Sequence, residues 1–590
     1  MPNQTELLDL LLLNRGIKTE YCHKFLNPSY EEGIYDPFLM KDMEKACVRI
    51  FEAIEAKEKI VIYSDYDCDG IPAAVMMHDF FQKINYPFSI DSDIEGNEVY
   101  KNNQKESFSY GARVYIPHRH DEGYGLHFDA VNQFIENGVN LIITFDLGIT
   151  AIDEVAQAKT NGVDVIITDH HLPHQIENES GVYQDILPRA YAILNPKQEG
   201  CNYPDKMLCG AGVAYKLIQG LISKYDQYWK INKGWEKWLL DMVGVATLAD
   251  QVPLLNENRV LAYYGLKVLR KGRRPGLVEL FKKAGVDIKK LNEEDITFTL
   301  APRINAASRM SDPMKAFTLL STTDPVLAKT FSDYLVEINN ERKTIVAHIM
   351  KEVKKLLHKR EDKSIIVIGN PNWRIGVLGI VASKITEEYQ KPAFVWGTDG
   401  NGEIRGSCRL PAILEDDNEA SLVEIMSRLP EGSLLEFGGH RSAGGFSASH
   451  ESIHLLEDRL VKVFIPNLSN QEKEIYNIEA TILIDDVTNE NYKTIEKLAP
   501  FGMSNPKPIF SFKKLNIFAI KEFGKDKNHL ELIFKNSRGY QIKAISFFKT
   551  RDSFNNTLVV GQSIDLIANF EKNNFAGREE LRLRILDLIN

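Results

Sequence analysis

The sequence predicts an α/β protein in which a parallel-sheet domain is joined by a long helix to a smaller α/β domain and then to a β-rich module. Three observations predict it: β-branched runs that alternate with amphipathic stretches, a long unbroken helical stripe after Pro325, and alternating apolar and polar residues near the C-terminus. A chain of 590 residues has room for several separate cores.

Residues from about Leu7 to Lys59 read as a helical lead-in, with Met43, Cys47, Ile50, Phe51 and Ile54 at helical spacing. Three apolar runs then have the character of strands buried on both faces: Ile60-Val61-Ile62-Tyr63, Leu141-Ile142-Ile143-Thr144 and Val165-Ile166-Ile167-Thr168. Between the first two, residues 91–111 are polar and carry Gly96, Asn97, Asn102 and Asn103, which predicts a surface insertion. From Pro325 to about Glu361, Val326, Phe331, Leu335, Ile338, Ile345, Ile349, Val353 and Leu357 approximate one apolar stripe, so a long connecting helix is expected. A second α/β unit follows from Ser364 to about Pro466. Runs such as Leu530-Glu531-Leu532-Ile533-Phe534 then mark the β-rich remainder. The expected division is 1–325, a connecting helix 326–361, 362–466 and 467–590.

Composition narrows the class. No basic n-region opens the chain and Asp9 interrupts the early leucines, so neither a signal peptide nor a membrane span is expected, and the cytoplasm is the default compartment. The six cysteines are scattered without a CxxC pair, which argues against a structural zinc site and a disulfide framework. A net charge of -11 opposes a simple DNA-coating protein. Locally the sign reverses, because residues 507–551 hold eleven Lys/Arg against three Asp/Glu.

Each predicted strand runs into an acidic residue. After the first comes Asp65-Tyr66-Asp67-Cys68-Asp69-Gly70, after the second Asp146, and after the third Asp169-His170-His171. Three carboxylates this close repel one another unless cations neutralise them. An EF-hand loop is the competing reading of the first motif. It fails because a strand precedes the motif and no glutamate stands at the twelfth loop position. In a parallel sheet neighbouring strand ends share one crevice, so these residues can form one pocket. Carboxylates with imidazole suit a divalent ion such as Mn²⁺, and bridging carboxylates suit two ions that clamp a phosphoryl centre.

In order along the chain, Asp65 to Gly70, Asp146, Asp169-His170-His171 and Ala249-Asp250 resemble the four signature motifs of the DHH phosphoesterases. That resemblance implies hydrolysis with two divalent cations, Mn²⁺ or Mg²⁺. It implies Asp65, Asp67, Asp146, His170 and Asp250 as metal ligands, Asp69 and Asp169 as ligands or orienting partners, and His171 as a contact to the scissile phosphate.

Further segments are similar to the RecJ family within that superfamily, in which the three parts are DHH, DHHA1 and OB-fold domains. They are residues 117–126, residues 210–214, residues 301–309, Gly406-Ser407-Cys408-Arg409 and residues 438–445. The resemblance implies a 5′→3′ exonuclease on single-stranded DNA in recombination and repair. A single-strand binding protein and a repair helicase are the implied partners. Arg119, Ser407 and Arg409 would hold a 5′-terminal phosphate, Arg303 and Arg309 would contact phosphate, and His440 would sit near the metals. Lys513, Lys514, Lys521, Lys525, Lys527, Arg538 and Lys543, interleaved with Phe510, Phe512, Phe518 and Tyr540, suit a single strand. An RNA or oligonucleotide phosphodiesterase and a non-catalytic replication scaffold are the alternatives. Cys68, Pro72, Ser308 and Arg374 depart from the residues usual in the family, and none is an expected metal ligand.

Overall fold

The computed structural model describes residues 4–89, 110–177, 181, 183–414, 421–464, 476–524, 527–554, 557–575 and 578–589. Its contacts divide the chain into two compact units, one of residues 36–250 and 264–469, the other of residues 1–35, 251–263 and 470–590.

The first unit is built on a six-stranded sheet. Its strands are β1 (Lys59–Ser64), β2 (Phe88–Ser89), β3 (Gly111–Tyr115), β4 (Leu141–Phe145), β5 (Asp164–Thr168) and, after a hairpin of β6 (His174–Glu177) and β7 (Tyr183–Ile186), β8 (Ala192–Leu194). The order is β2-β3-β1-β4-β5-β8, and all the pairings are parallel. The three predicted runs are the central strands. Val61, Tyr63, Ile142, Val165 and Ile167 pack with Val131, Phe134, Val155 and Ala158 on one face, while Ile60, Ile62, Ile143 and Ile166 are fully buried on the other. The predicted 91–111 insertion lies outside the described residues except at its end. There Gly111 opens β3 with φ 125°, and a Cβ on it would meet the Pro87 carbonyl oxygen at 2.7 Å.

The connecting helix spans Pro325–Leu357. Asp324 caps it by accepting from the Val326 N–H at 2.7 Å, and proline occupies its first turn. It leads to a five-stranded sheet of β9 (Ile366–Gly369), β10 (Ala393–Thr398), β11 (Ile404–Arg409), β12 (Glu436–Gly439) and β13 (Ala443–Ala448), in the order β12-β13-β11-β10-β9. Only β9 and β10 run parallel.

The second unit holds a seven-stranded sheet between Ala480 and Ile589. Phe510 and Phe512 are fully buried in its core, and Leu7, Leu11 and Leu12 of the lead-in join them. Phe518 and Tyr540 are instead exposed. Lys513, Lys521 and Lys543 pair with Asp565, Glu531 and Glu580. Lys525 lies outside the described residues. All six cysteines are free, and no helix among the described residues is long and apolar enough to cross a membrane.

Candidate metal centre and anion pocket

The sheet register brings the acidic residues into one row. Asp65 N–H donates to the Phe145 carbonyl oxygen at 3.1 Å, Asp146 N–H to Thr168 at 2.9 Å, and Asp169 N–H to Leu194 at 3.0 Å. Each aspartate thus extends the parallel ladder by one residue past its strand, at the C-terminal edge where such sheets open their crevice. Asp146 does so at φ 62°, a left-handed conformation that costs a non-glycine residue of order 1 kcal/mol and re-aims its side chain.

Three overlapping donor sets result: Asp65 with Asp67 and Asp146, Asp146 with His170 and His171, and Asp69 with His170 and Asp250. In each, one donor atom per residue lies within 4.8 Å of the others. Asp250 reaches the cluster from the C-terminus of helix Leu240–Ala249. Asp146 and His170 each belong to two sets; the carboxylate of Asp146 can bridge two cations, whereas His170 offers Nε2 to one of them. The residues also fit cations electrostatically. Asp65 and Asp146 are buried; Asp65 Oδ1 has no hydrogen-bond partner, and Asp146 Oδ1 has only the ring Nε2 of His170, itself a candidate ligand, 3.1 Å away. Burial, then neighbouring carboxylates, drives both pKa values well above the ordinary range. A cation is the partner that removes both costs.

Two members of these sets have other engagements. Asp69 accepts the backbone N–H groups of Gly210 and Ala211 at 2.6 and 2.7 Å, at the N-terminus of helix Gly210–Trp229. It is therefore the anchor of that helix. Asp169 accepts Ile149 N–H at 2.9 Å on one oxygen. Its other oxygen accepts His170 N–H at 2.7 Å, His171 N–H at 3.0 Å and the His171 ring Nδ1 at 2.7 Å. Burial opposes its charge, yet these bonds, led by that from His171, lower its pKa to about 2. In the opposite direction, and again against burial, the Asp169 bond raises His171 to about 9. With Nδ1 held, Nε2 is the nitrogen free for a substrate. The His440 ring lies 6.1 Å away and nearly parallel.

Sequence reasoning gave Tyr124 no role. Its hydroxyl donates to the Asp146 carbonyl oxygen at 3.1 Å and lies 3.1 Å from His171 Nδ1, tying two strand ends together. Cys68 is buried among Asp67, Asp69 and Asp250, and burial followed by those charges raises its thiol, so it is no nucleophile.

Beside the acids lies the opposite charge. The Arg119 guanidinium sits 4.8 Å over the Tyr66 ring. Arg309 feels Arg119, Arg342 and Arg409, and burial followed by these like charges lowers it to about 9. No carboxylate among the described residues pairs with any of the four. Ser407 and Arg409 are two residues apart on β11 and share a face, and both approach Gly379, where a Cβ would meet Arg409 Nη2 at 3.2 Å and Ser407 Oγ at 3.7 Å. Gly376 permits the approach of the two halves, since a Cβ there would lie 2.1 Å from the Arg309 carbonyl oxygen and 2.6 Å from the His120 ring. Arg303 is not part of this group. Six residues from Arg309 on one helix, it is turned by roughly 240° and donates to the Thr299 carbonyl oxygen at 2.5 Å.

Residues 59–247 match the DHH family, N-terminal domain, residues 345–465 the DHHA1 domain and residues 478–587 the RecJ OB domain. The single-stranded-DNA-specific exonuclease RecJ of Bacillus subtilis (strain 168) is 34% identical over 586 residues, which cover 99% of this chain and 68% of that protein. The chain belongs to the RecJ family. Its Escherichia coli (strain K12) relative, also a single-stranded-DNA-specific exonuclease RecJ, is 30% identical over 80% of this chain and 78% of that one. The crystal structure of RecJ in complex with Mn²⁺ from Thermus thermophilus shares the fold, with a TM-score of 0.76 at 23% identity over 99% of this chain and 76% of that one. A crystal structure of exonuclease RecJ bound to manganese matches with a TM-score of 0.58 at 28% identity, over 72% of this chain and 94% of that one.

Proposed function

We propose that this RecJ-family chain hydrolyses single-stranded DNA from its 5′ end, one linkage at a time, with two divalent cations held by Asp65, Asp67, Asp146, His170 and Asp250. The observation that carries this reading is the pairing of two charge clusters in one unit: carboxylates and imidazoles crowded within 4.8 Å of one another and, across Tyr66, arginines that no carboxylate among the described residues pairs with. When bound, Mn²⁺ or Mg²⁺ would lower the pKa of a water and neutralise charge on the phosphate and the leaving 3′ oxygen.

The protein side of the reaction follows from the geometry. Asp169 holds His171 by Nδ1 so that Nε2 can donate to a phosphate oxygen. His440 stands beside it to meet the same phosphate. Asp69 fixes the helix that backs the site. Arg119, Arg309, Ser407 and Arg409 take a terminal phosphate, for which forked guanidinium donors are suited. An end anchored at a set distance from the acids selects the first linkage, which gives the 5′→3′ direction. Arg303 has no part in this pocket. Within the OB domain, basic side chains with exposed Phe518 and Tyr540 suit contact with single-stranded DNA. A single-strand binding protein and a repair helicase, which present or generate the strand, are the partners this activity calls for, and the cytoplasm is its compartment.

The test is digestion of 5′-phosphorylated and 5′-hydroxyl single-stranded DNA, RNA and duplex with Mn²⁺ by wild type, Asp146→Ala and Arg409→Ala. Wild type should degrade single-stranded DNA, Asp146→Ala should not, and Arg409→Ala should lose its advantage on the phosphorylated end. Preferential loss of RNA would move the assignment to an RNA phosphodiesterase. Equal activity of Asp146→Ala would remove the site.

A further inference from the structure

The C-terminal ends of β3, β1, β4, β5 and β8 form one row. Its middle carries Asp65, Asp146 and Asp169, and its two ends carry cations: Arg119 beyond β3 and Lys197 beyond β8. Arg119 belongs to the anion pocket. Lys197 has no place in the function described so far.

Its backbone is tied to the catalytic row. Asn195, fully buried, donates through Nδ2 to the His171 carbonyl oxygen at 2.8 Å, and its Oδ1 accepts the Lys197 N–H at 2.8 Å. Gln198 closes the turn by donating to the Ile193 carbonyl oxygen at 2.6 Å. The turn that carries the lysine is therefore anchored to the His171 backbone. Its side chain is half-buried, and among the described residues no carboxylate lies within ion-pair distance of the ammonium. Its place past the β8 end of the row, on the turn that Asn195 ties to His171, sets it at the rim of the same crevice, within reach of the charges of Asp250, Asp169 and Asp146.

We propose that Lys197 binds the phosphate immediately 3′ of the scissile linkage, so that the row of strand ends receives three consecutive phosphates: the terminal one at Arg119, the scissile one over the aspartates and the next at Lys197. This rests on the terminal-phosphate reading of the Arg119 pocket. Strands stand about 4.8 Å apart, which puts the β8 end of the row about 12 Å from the Asp65/Asp146 pair, and a lysine side chain of about 6 Å reach brings its ammonium within a single nucleotide step of that pair. The ammonium is a point charge with three donors, which suits a phosphate of any sequence.

The experiment uses the full chain with Mn²⁺ and two 5′-phosphorylated substrates, a thymidine dinucleotide and a thymidine trinucleotide, with initial release of the first mononucleotide as the readout. Both offer a terminal phosphate and a scissile linkage, and only the trinucleotide offers a phosphate beyond it. Lys197→Met should lower kcat/KM on the trinucleotide about tenfold or more and leave the dinucleotide within about twofold, which also shows that the variant is folded. Lys197→Arg should restore most of the loss. Equal loss on both substrates, or no loss on the trinucleotide, overturns the assignment to Lys197 alone. So does tighter Mn²⁺ binding by Lys197→Met without a length effect, which would make the lysine a counter-ion to the acids. A wild type that cleaves neither substrate overturns the terminal-phosphate reading and this one with it.

Discussion

Replacing Asp169 by asparagine tests the proposed division between residues that hold cations and residues that hold His171. The substitution keeps the shape of a fully buried side chain but removes its charge, and it turns an amide N–H₂ toward donors that now meet a single oxygen. The strength of the pair can be read from either partner. Asp169 falls from 3.8 to about 2 and His171 rises from 6.5 to about 9 although burial opposes both charges, and at 1.36 kcal/mol per pH unit each site favours its charged form by a net of about 2 to 3 kcal/mol, with the mutual bond the leading favourable cause. The linkage has a definite sign. The His171 contribution to stability is complete below its unfolded pKa and disappears as pH rises through about 9, whereas the Asp169 contribution is present above 3.8 and disappears as pH falls toward 2. The assay is the ring-proton NMR titration of His171 in cation-free protein, paired with kcat in Mn²⁺. The wild-type midpoint should stand near 9, the Asp169→Asn midpoint should drop to or below the ordinary histidine value, and kcat should fall about 10- to 100-fold with KM little changed. An unchanged midpoint would refute the claim that Asp169 orients and charges His171.

The acid cluster predicts that cation binding releases protons. Burial, then Asp67, raises Asp69 to about 7, and burial followed by neighbouring carboxylates raises Asp65 and Asp146 well above the ordinary carboxylate range, so Mn²⁺ affinity should climb between about pH 6 and 8. Calorimetry in buffers of different ionisation enthalpy that detects no proton release would contradict it. Because these carboxylates bind protons more tightly when folded, their share of the cation-free stability should fall as pH rises from about 4 through 7, and Mn²⁺ should restore it. With Mn²⁺ present, so that Asp69 is ionised, Asp69→Asn should lower stability by about 2 kcal/mol, since an amide accepts from only one of the two backbone donors at the helix N-terminus; without cations the loss should be smaller, because burial and Asp67 already oppose the charge. An unchanged melting midpoint would show that this anchor is dispensable. Gly376→Ala forces a Cβ against a backbone oxygen and should erase most of the preference for a 5′-phosphorylated end while Mn²⁺ affinity stays within about twofold. Equal loss of cation binding would mean that the damage is not confined to the arginine pocket.

What could be read from the sequence depended on burial and on element length. The runs at β1, β4 and β5 were legible because interior parallel strands are apolar on both faces, and an acidic residue after such a run reads as a crevice residue. The other strands of the sheet gave no such signal. Ala192-Ile193-Leu194 is too short for periodicity to register, and β3 mixes Arg113 with its apolar residues. That is why Asn195 and Lys197 escaped notice, although an apolar run that ends in a polar residue is the pattern that exposed the three aspartates. The phosphate contacts expected of Arg303 and Arg309 came from the resemblance of residues 301–309, which carries no direction; the turn of the helix separates the two side chains and leaves Arg303 near Lys343, outside the Arg309 cluster. The lead-in leucines looked like the start of the first domain. Leu7, Leu11 and Leu12 lie in the same core as Phe510 and Leu566, a long-range contact that no local pattern encodes.

The two charge clusters can be weighed against each other in one unit of the protein. Crowded buried carboxylates, one with an oxygen that meets no donor, and guanidiniums without carboxylate partners among the described residues each cost folding free energy. Each excess specifies the ligand that relieves it: hard divalent cations for the acids and a phosphate for the arginines. A nucleotide with a terminal phosphate reaches both, because Tyr66, which the Arg119 guanidinium covers, directly follows Asp65. Cation and nucleotide should therefore stabilise the protein more together than the sum of their separate effects. Thymidine 5′-monophosphate with Mn²⁺ should raise the melting midpoint of wild type more than additively, and that excess should vanish in Arg409→Ala. Strict additivity in the wild type would mean that the acids and the arginines serve separate ligands.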